Sequence, residues 1–181
     1  MSRLTNNINS LDTNISILFN RLAINNRSIL YIFKIITLTA EGWVFLLYAL
    51  ILLLFDYKEA LDIIKTGIVT YGIYYPTYYL IKNNIKRIRP FEKNKSNIKC
   101  LVKPPDKYSL PSGHSAASTI ATLIILNFYP QMNFLIIWPI LVAFSRIILG
   151  VHYFSDAIIG GGLGVICYYL CNIFITANLD I

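Results

Sequence analysis

"SAASTIATLIILNFYPQMNFLIIWPILVAFS", Ser115–Ser145, runs for 31 residues without an Asp, Glu, Lys or Arg. Ala157–Leu179 adds a second uncharged run of 23. Runs of this length suit helices that cross a bilayer, where each backbone polar group must be satisfied within its own segment. The whole 181-residue chain agrees: 56% is hydrophobic, 14% is charged, and mean hydropathy is +0.57. These numbers exclude an ordinary soluble domain. They predict an all-α, polytopic membrane helical bundle.

Five segments, three of them largely within these runs, make up the expected bundle. Glu41–Phe55 reads as the first clear span, and "DYKE" (Asp56–Glu59) as a tight connection to the second, Ala60–Ile81. The third is expected over Ser112–Phe128 and breaks at "NFYPQMN"; the fourth covers Phe134–Ile148. The last starts near His152 and ends near Thr176, and its "GGGLG" (Gly160–Gly164) suits close helix packing. Ile29–Leu38 is too short to span alone. It is either a partial segment or the start of a long helix bent near Gly42, so the count is five or six transmembrane helices. Before it, residues 1–28 read as a polar tail, frayed over residues 1–10, and an amphipathic interfacial helix. In that helix Leu11, Ile15, Leu18, Phe19 and Leu22 lie opposite Asp12, Asn14, Asn20 and Arg21. Residues 29–181 form the membrane domain, with a candidate catalytic loop at 82–111.

The net charge of +7 does not imply nucleic acid, because nine of the 16 basic residues lie in one loop, Lys82–Lys107. A basic loop beside apolar spans suits anionic headgroups or phosphates. Cys100, Cys167 and Cys171 make no metal or redox pattern; Cys167 and Cys171 share a helix face as small packing residues. Tyr71, Tyr74, Tyr75, Tyr78 and Tyr79 read as an aromatic belt, and Glu41 as a cap or interfacial group.

The expected spans bring three blocks to one membrane face: "KNNIKRIRP" (Lys82–Pro90), "PSGH" (Pro111–His114) and "SRIILGVHYFSD" (Ser145–Asp156). Lys82, Arg89 and Arg146 are cations beside apolar helices and want an anion. An Arg fork fits phosphate oxygens, and Lys adds a point charge. Ser112 and Gly113 open a helix whose free N–H groups and dipole favour the same ligand. The chain has two histidines, both in these blocks. His152 and Asp156 are four apart, so a carboxylate can fix the imidazole tautomer and make the other nitrogen a nucleophile towards phosphorus. His114 is then the candidate general acid. Without an acidic cluster for Mg²⁺ or Zn²⁺, the chemistry is expected to need no metal and no cofactor.

Each block has a plainer reading by itself: an interfacial anchor of Lys and Arg, a capped histidine, a structural Arg146–Asp156 pair. Their order and spacing tell against coincidence. Lys82, six residues, Arg89-Pro90; then Pro111-Ser112-Gly113-His114; then Ser145-Arg146, five residues, His152, three residues, Asp156: this resembles the full signature of the type 2 phosphatidic acid phosphatases, the integral-membrane lipid phosphate phosphatases. The resemblance implies that His152 forms a phosphohistidine, Asp156 orients it and His114 protonates the leaving group. It further implies phosphate binding by Lys82, Arg89, Ser112, Gly113 and Arg146.

The expected activity is hydrolysis of a lipid phosphomonoester or pyrophosphate. By analogy with compact bacterial members, undecaprenyl pyrophosphate stands slightly ahead of phosphatidylglycerophosphate, phosphatidic acid and lipid A phosphates. The rivals are a membrane phosphotransferase using the same phosphoenzyme and a non-catalytic phospholipid-binding or transport protein. The positive-inside rule would put the basic loop in the cytoplasm. The family resemblance implies instead an active site on the extracytoplasmic face of a bacterial inner membrane, and because phosphate binding demands several of those charges they report poorly on topology. The expected partners are the lipid substrate and membrane lipids, with oligomeric state left open.

Overall fold

The computed structural model describes residues 3–55 and 57–178, and among them there are helices and loops but no strand. In chain order the helices are α1 (Arg3–Asn25), α2 (Arg27–Leu38), α3 (Gly42–Phe55), α4 (Tyr57–Ile85), the short α5 (Pro90–Lys93), α6 (Gly113–Phe128), α7 (Ile137–Ile148) and α8 (Phe154–Asn178). A 3₁₀ segment, Pro130–Ile136, leads into α7 and marks the break expected at "NFYPQMN".

Two boundaries differ from the sequence reading. Helix α1 begins at Arg3 rather than after a frayed tail; residues 1 and 2 lie outside the described residues. Of "DYKE", Asp56 also lies outside them, while Tyr57–Glu59 already belong to α4. The Ile29–Leu38 stretch falls within α2, which ends at a break just before Gly42. Asn26 caps α2 by accepting from the Ser28 and Ile29 amides, and α2 meets α3 at 62° across a short break.

Pro130–Ile148 and Phe154–Ile175 are each long and apolar enough to cross a membrane, at mean hydropathy 1.6 and 1.9, and the bent α2–α3 pair makes a third candidate. Helix α6 is apolar but shorter, at 16 residues. The outer surface is apolar to match: Leu54, Phe55, Ile68 and Ile173 all point away from the protein.

The core lies where α4, α6 and α8 meet, around Ile63, Tyr74, Ala116, Ile120, Ile124, Leu163 and Cys167. The glycine run explains how α8 gets so near α6. A Cβ on Gly160 would stand 2.4 Å from the Ser112 carbonyl oxygen, and one on Gly164 2.6 Å from that of Ala116. These two glycines, four apart, let the backbones touch as small residues do in membrane helix pairs. Gly162, between them, faces open space.

Helix α1 inverts the usual relation of polarity to burial. Its polar stripe, Asp12, Ser16 and Asn20, is buried against the rest of the protein, whereas Leu11 and Leu18 are 61% and 63% exposed. Asn20 acts as a clip: its amide donates to the carbonyls of Lys99 (3.0 Å) and Ile148 (2.9 Å) and accepts from the Lys99 N–H (2.9 Å). The turn it grips contains Gly150, whose φ of +77° is a left-handed conformation that glycine adopts without strain.

Candidate active site

Each of the three sequence blocks ends at a helix boundary. Lys82 lies in the last turn of α4 and Arg89 on the loop beyond it. Ser112 is the N-cap of α6, accepting from the Ser115 amide (3.4 Å) and hydroxyl (2.8 Å). Arg146 lies in the last turn of α7, and His152 sits in the turn before α8, which carries Asp156 in its first turn. The turn is pinned from within, since the Val151 and His152 amides both donate to the Arg146 carbonyl at 3.2 Å. The Ser112 amide donates to the Asp156 carbonyl (3.0 Å), joining the second block to the third.

The two nitrogens of the His152 ring face different neighbours. Nε2 lies 3.4 Å from Arg89 Nη1, and Nδ1 lies 3.7 Å from Asp156 Oδ2. The second distance exceeds a good hydrogen bond, as catalytic pairs often do before substrate tightens them. Burial pushes the imidazole pKa down to about 3; the nearby Arg89 and Arg146 add to this, against the pull of Asp156. The ring is therefore neutral at ordinary pH, as a nucleophile must be.

Arg89 and Lys82 meet at one carboxylate. Asp106 accepts from Arg89 Nη2 at Oδ1 (2.7 Å) and from Lys82 Nζ at Oδ2 (2.8 Å); its carbonyl also accepts from Arg89 Nε (3.1 Å). Tyr78 donates its hydroxyl to Asp106 Oδ2 (2.7 Å) and accepts from Lys82. Burial opposes ionisation of Asp106, but these bonds to Lys82 and Tyr78 and the charge of Arg89 outweigh it, holding the carboxyl below its usual range. Gly113 lies against the Tyr78 ring, where a Cβ would come within 3.1 Å of the hydroxyl. Arg146 donates to the Thr37 hydroxyl (2.5 Å) through Nη1, while its Nε and Nη2 are buried without a hydrogen-bond partner among the described residues. Two unsatisfied donors on a buried guanidinium suit an anion with several oxygens. Arg146 and Asp156 do not pair with each other: Asp156 takes Arg87 instead (2.5 Å).

His114 faces a different partner, with Nε2 3.2 Å from Glu41 Oε1. Glu41, expected as a cap or interfacial group, thus also sits against a candidate catalytic ring. The two line a cavity with Tyr75, Tyr79, Asp106 and Gly113. The tyrosines divide accordingly. Tyr74 and Tyr78 are buried, Tyr78 with its hydroxyl among Asp106 and Lys82, and Tyr75 and Tyr79 are exposed, as a belt requires.

All eight candidate residues therefore belong to one set of contacts around a single end of the bundle. The sequence reading missed Glu41, Asp106, Tyr78 and Arg87 as members. Of these, only Tyr78 carried a signal, because it falls one helical turn before Lys82 on the same face.

In sequence and in fold the chain is similar to known proteins. The chain is 32% identical over 115 residues to an undecaprenyl-diphosphatase of Sulfolobus acidocaldarius, covering 62% of this chain and 55% of that protein. It is 36% identical over 85 residues to a decaprenylphosphoryl-5-phosphoribose phosphatase of Mycobacterium tuberculosis, covering 47% and 46%. The matches thus span about half the length of these curated relatives. The fold resembles that of a Bacillus subtilis transmembrane PAP2-type phosphatidylglycerolphosphate phosphatase, at TM-score 0.74 and 21% identity over 97% of this chain and 90% of the other. It also resembles Aquifex aeolicus LpxE, at TM-score 0.72 and 19% identity over 88% and 93%. A match to the PAP2 superfamily covers residues 63–180, a stretch that includes all three blocks from Lys82 to Asp156, and on that ground this chain belongs to the PAP2 superfamily.

Proposed function

We propose that the chain is a membrane lipid phosphatase that works through a phosphohistidine. The observation that carries this reading is the His152 ring, with Nδ1 towards Asp156 and Nε2 among the arginines. The phosphate of the substrate binds Lys82, Arg89 and Arg146 and the N-terminus of α6 at Ser112 and Gly113. To reach the first two cations it takes the place of the Asp106 carboxylate. His152 Nε2 then attacks phosphorus, the bond from phosphorus to the lipid oxygen breaks, and His114 gives that oxygen a proton. A water next gives its proton to His114 and attacks the phosphohistidine. The P–N bond breaks, and inorganic phosphate leaves. Arginine donors and helix-terminal amides stabilise the charge that develops at phosphorus. The steps need no metal.

The undecaprenyl-diphosphatase relative supports a polyprenyl pyrophosphate as the substrate slightly ahead of other lipid phosphates. In the membrane we take α2–α3 as one broken span and α4, α6, α7 with its 3₁₀ extension, and α8 as four more, giving five. Helix α1 lies along the interface with its leucines towards lipid. The site opens on the extracytoplasmic side of a bacterial inner membrane, and a reporter fused at the C-terminus should accordingly be cytoplasmic.

Phosphate release by the detergent-purified protein from a panel of lipid phosphates and pyrophosphates, with and without EDTA, tests the reading. Release that survives EDTA supports it. Loss with EDTA and rescue by Mg²⁺ refutes the metal-free chemistry. Phosphate appearing on an acceptor lipid makes the chain a transferase, and no turnover of any substrate makes it a binding protein.

A further inference from the structure

Asp156 does not stand alone behind His152. Its Oδ2 accepts from the Tyr153 amide (2.8 Å), and its Oδ1 accepts from Arg87 Nη1 (2.5 Å). The same Nη1 donates to the Ser155 hydroxyl (2.7 Å), and the other end of the fork, Nη2, donates to Asp12 Oδ2 (2.6 Å). Asp12 in turn accepts from the Ser155 amide at Oδ1 (3.0 Å) and from the Ser155 hydroxyl. Arg87 also stacks on the Tyr153 ring, 4.2 Å from its centroid, which fixes the plane of the fork. A helix at the start of the chain thus reaches the orienting carboxylate of a residue pair near its end.

Asp12 is 3% exposed although its helix has an open face available. A buried carboxylate is costly unless paired and hydrogen-bonded, so its position needs a reason. Charge supplies one. Arg87 alone would neutralise Asp156 and weaken its pull on the His152 Nδ1 proton. With Asp12 on the far end of the fork, two carboxylates share one guanidinium, and the trio keeps one net negative charge beside the ring.

We infer that Asp12 and Arg87 are positioning residues for the reaction: they hold the Asp156 carboxylate, with its charge, against His152. The inference rests on His152 as the nucleophile. It does not involve Lys82, Arg89 or Arg146, so the phosphate cradle is left unchanged when it is tested. Lys at position 87 cannot bridge both carboxylates, because it lacks the two-ended fork.

The test compares Asp12→Asn, Asp12→Glu, Arg87→Lys and Ser16→Ala in the purified full-length chain. Ser16 shares the buried face of α1, and among the described residues its hydroxyl bonds to its own helix, through the Asp12 carbonyl (2.9 Å). Turnover is counted per site able to form a phosphoenzyme, which removes any misfolded fraction. Asp12→Asn and Arg87→Lys should each lower kcat about 10- to 30-fold with KM within about twofold, as losses of outer-sphere orientation do. Asp12→Glu, which keeps the charge, should recover most of the rate, and Ser16→Ala should match the wild type. Histidine-selective ¹⁵N NMR gives a readout independent of substrate, since the chain has two histidines. The Nδ1–H tautomer of His152 should lose population in Asp12→Asn and Arg87→Lys. Wild-type kcat and tautomer in either variant would overturn the inference, as would an equal loss in Ser16→Ala. Should Asp12→Asn not fold, Arg87→Lys decides. A wild-type chain inactive on every lipid defeats the proposed function, while the tautomer still judges the positioning role.

Discussion

His152 and Asp156 are closed off at 2% and 0% side-chain exposure, whereas Glu41, the partner of His114, keeps 38% of its side chain open. The carboxylate behind the proposed nucleophile is braced from α1, α8 and the loop after α4 by hydrogen bonds to both of its oxygens. The donor half is a single imidazole–carboxylate contact beside a cavity between α3, α4 and α6. On the proposed mechanism the two halves do different jobs. Attack on phosphorus needs one ring nitrogen in one place, and rigid placement favours it. Departure of a lipid needs room for the lipid, so the acid is held by fewer contacts at an open wall.

Substitutions can break this contrast or sharpen it. His152→Ala removes the attacking atom and should cut phosphate release at least about 10³-fold, with expression and detergent extraction unchanged. A variant of wild-type activity would end the nucleophile assignment. Arg146→Lys should come next. Its fork has one end on Thr37 and leaves Nε and Nη2 for the phosphate, a geometry that an ammonium cannot copy, so kcat/KM should fall about 100-fold. Glu41→Gln, on the looser half, should lower kcat only about tenfold. The loss should shrink for substrates with a good leaving group such as p-nitrophenol, because these need little proton donation. A loss as large as that of His152→Ala would mean the donor half is not the more tolerant one. Asp106→Asn should have the smallest effect and the opposite sign. With no anion already on Lys82 and Arg89, vanadate or inorganic phosphate should inhibit at about three- to tenfold lower concentration. Unchanged inhibition would mean that the incoming phosphate does not compete with Asp106.

Much of this molecule was legible in its residues for physical reasons. Charge is so costly in a bilayer that Ser115–Ser145 and Ala157–Leu179 announce helices without further help, and Gly160 and Gly164 mark a packing face by their spacing. The blocks at Lys82–Pro90, Pro111–His114 and Ser145–Asp156 could be grouped because their chemistry converges on one ligand. What stayed hidden depended on which partner a polar group finds. Helix α1 was expected to be two-faced, but amphipathicity does not say which face meets the protein. Water would draw Asp12 and Asn20 outward; here they turn inward, to Arg87 and to the Lys99 and Ile148 carbonyls. Glu41 and His114 are 73 positions apart, and Asp106 lies in a loop with no periodicity, so nothing local to either carboxylate foretold its contact.

The closeness of α6 and α8 has a mechanical consequence. Helix α6 carries His114, and α8 carries Asp156, so the gap between the proposed proton donor and the carboxylate behind the proposed nucleophile is set by how near the two rods lie. That gap is gauged at Gly160, where a single methyl group would meet the Ser112 carbonyl oxygen at 2.4 Å. The tolerance of the chemistry is thus fixed one turn below it, by a residue with no side chain and no ligand to touch. Chains that drift in sequence on their lipid-facing sides can keep this alignment indefinitely, provided that the gauge itself is never thickened.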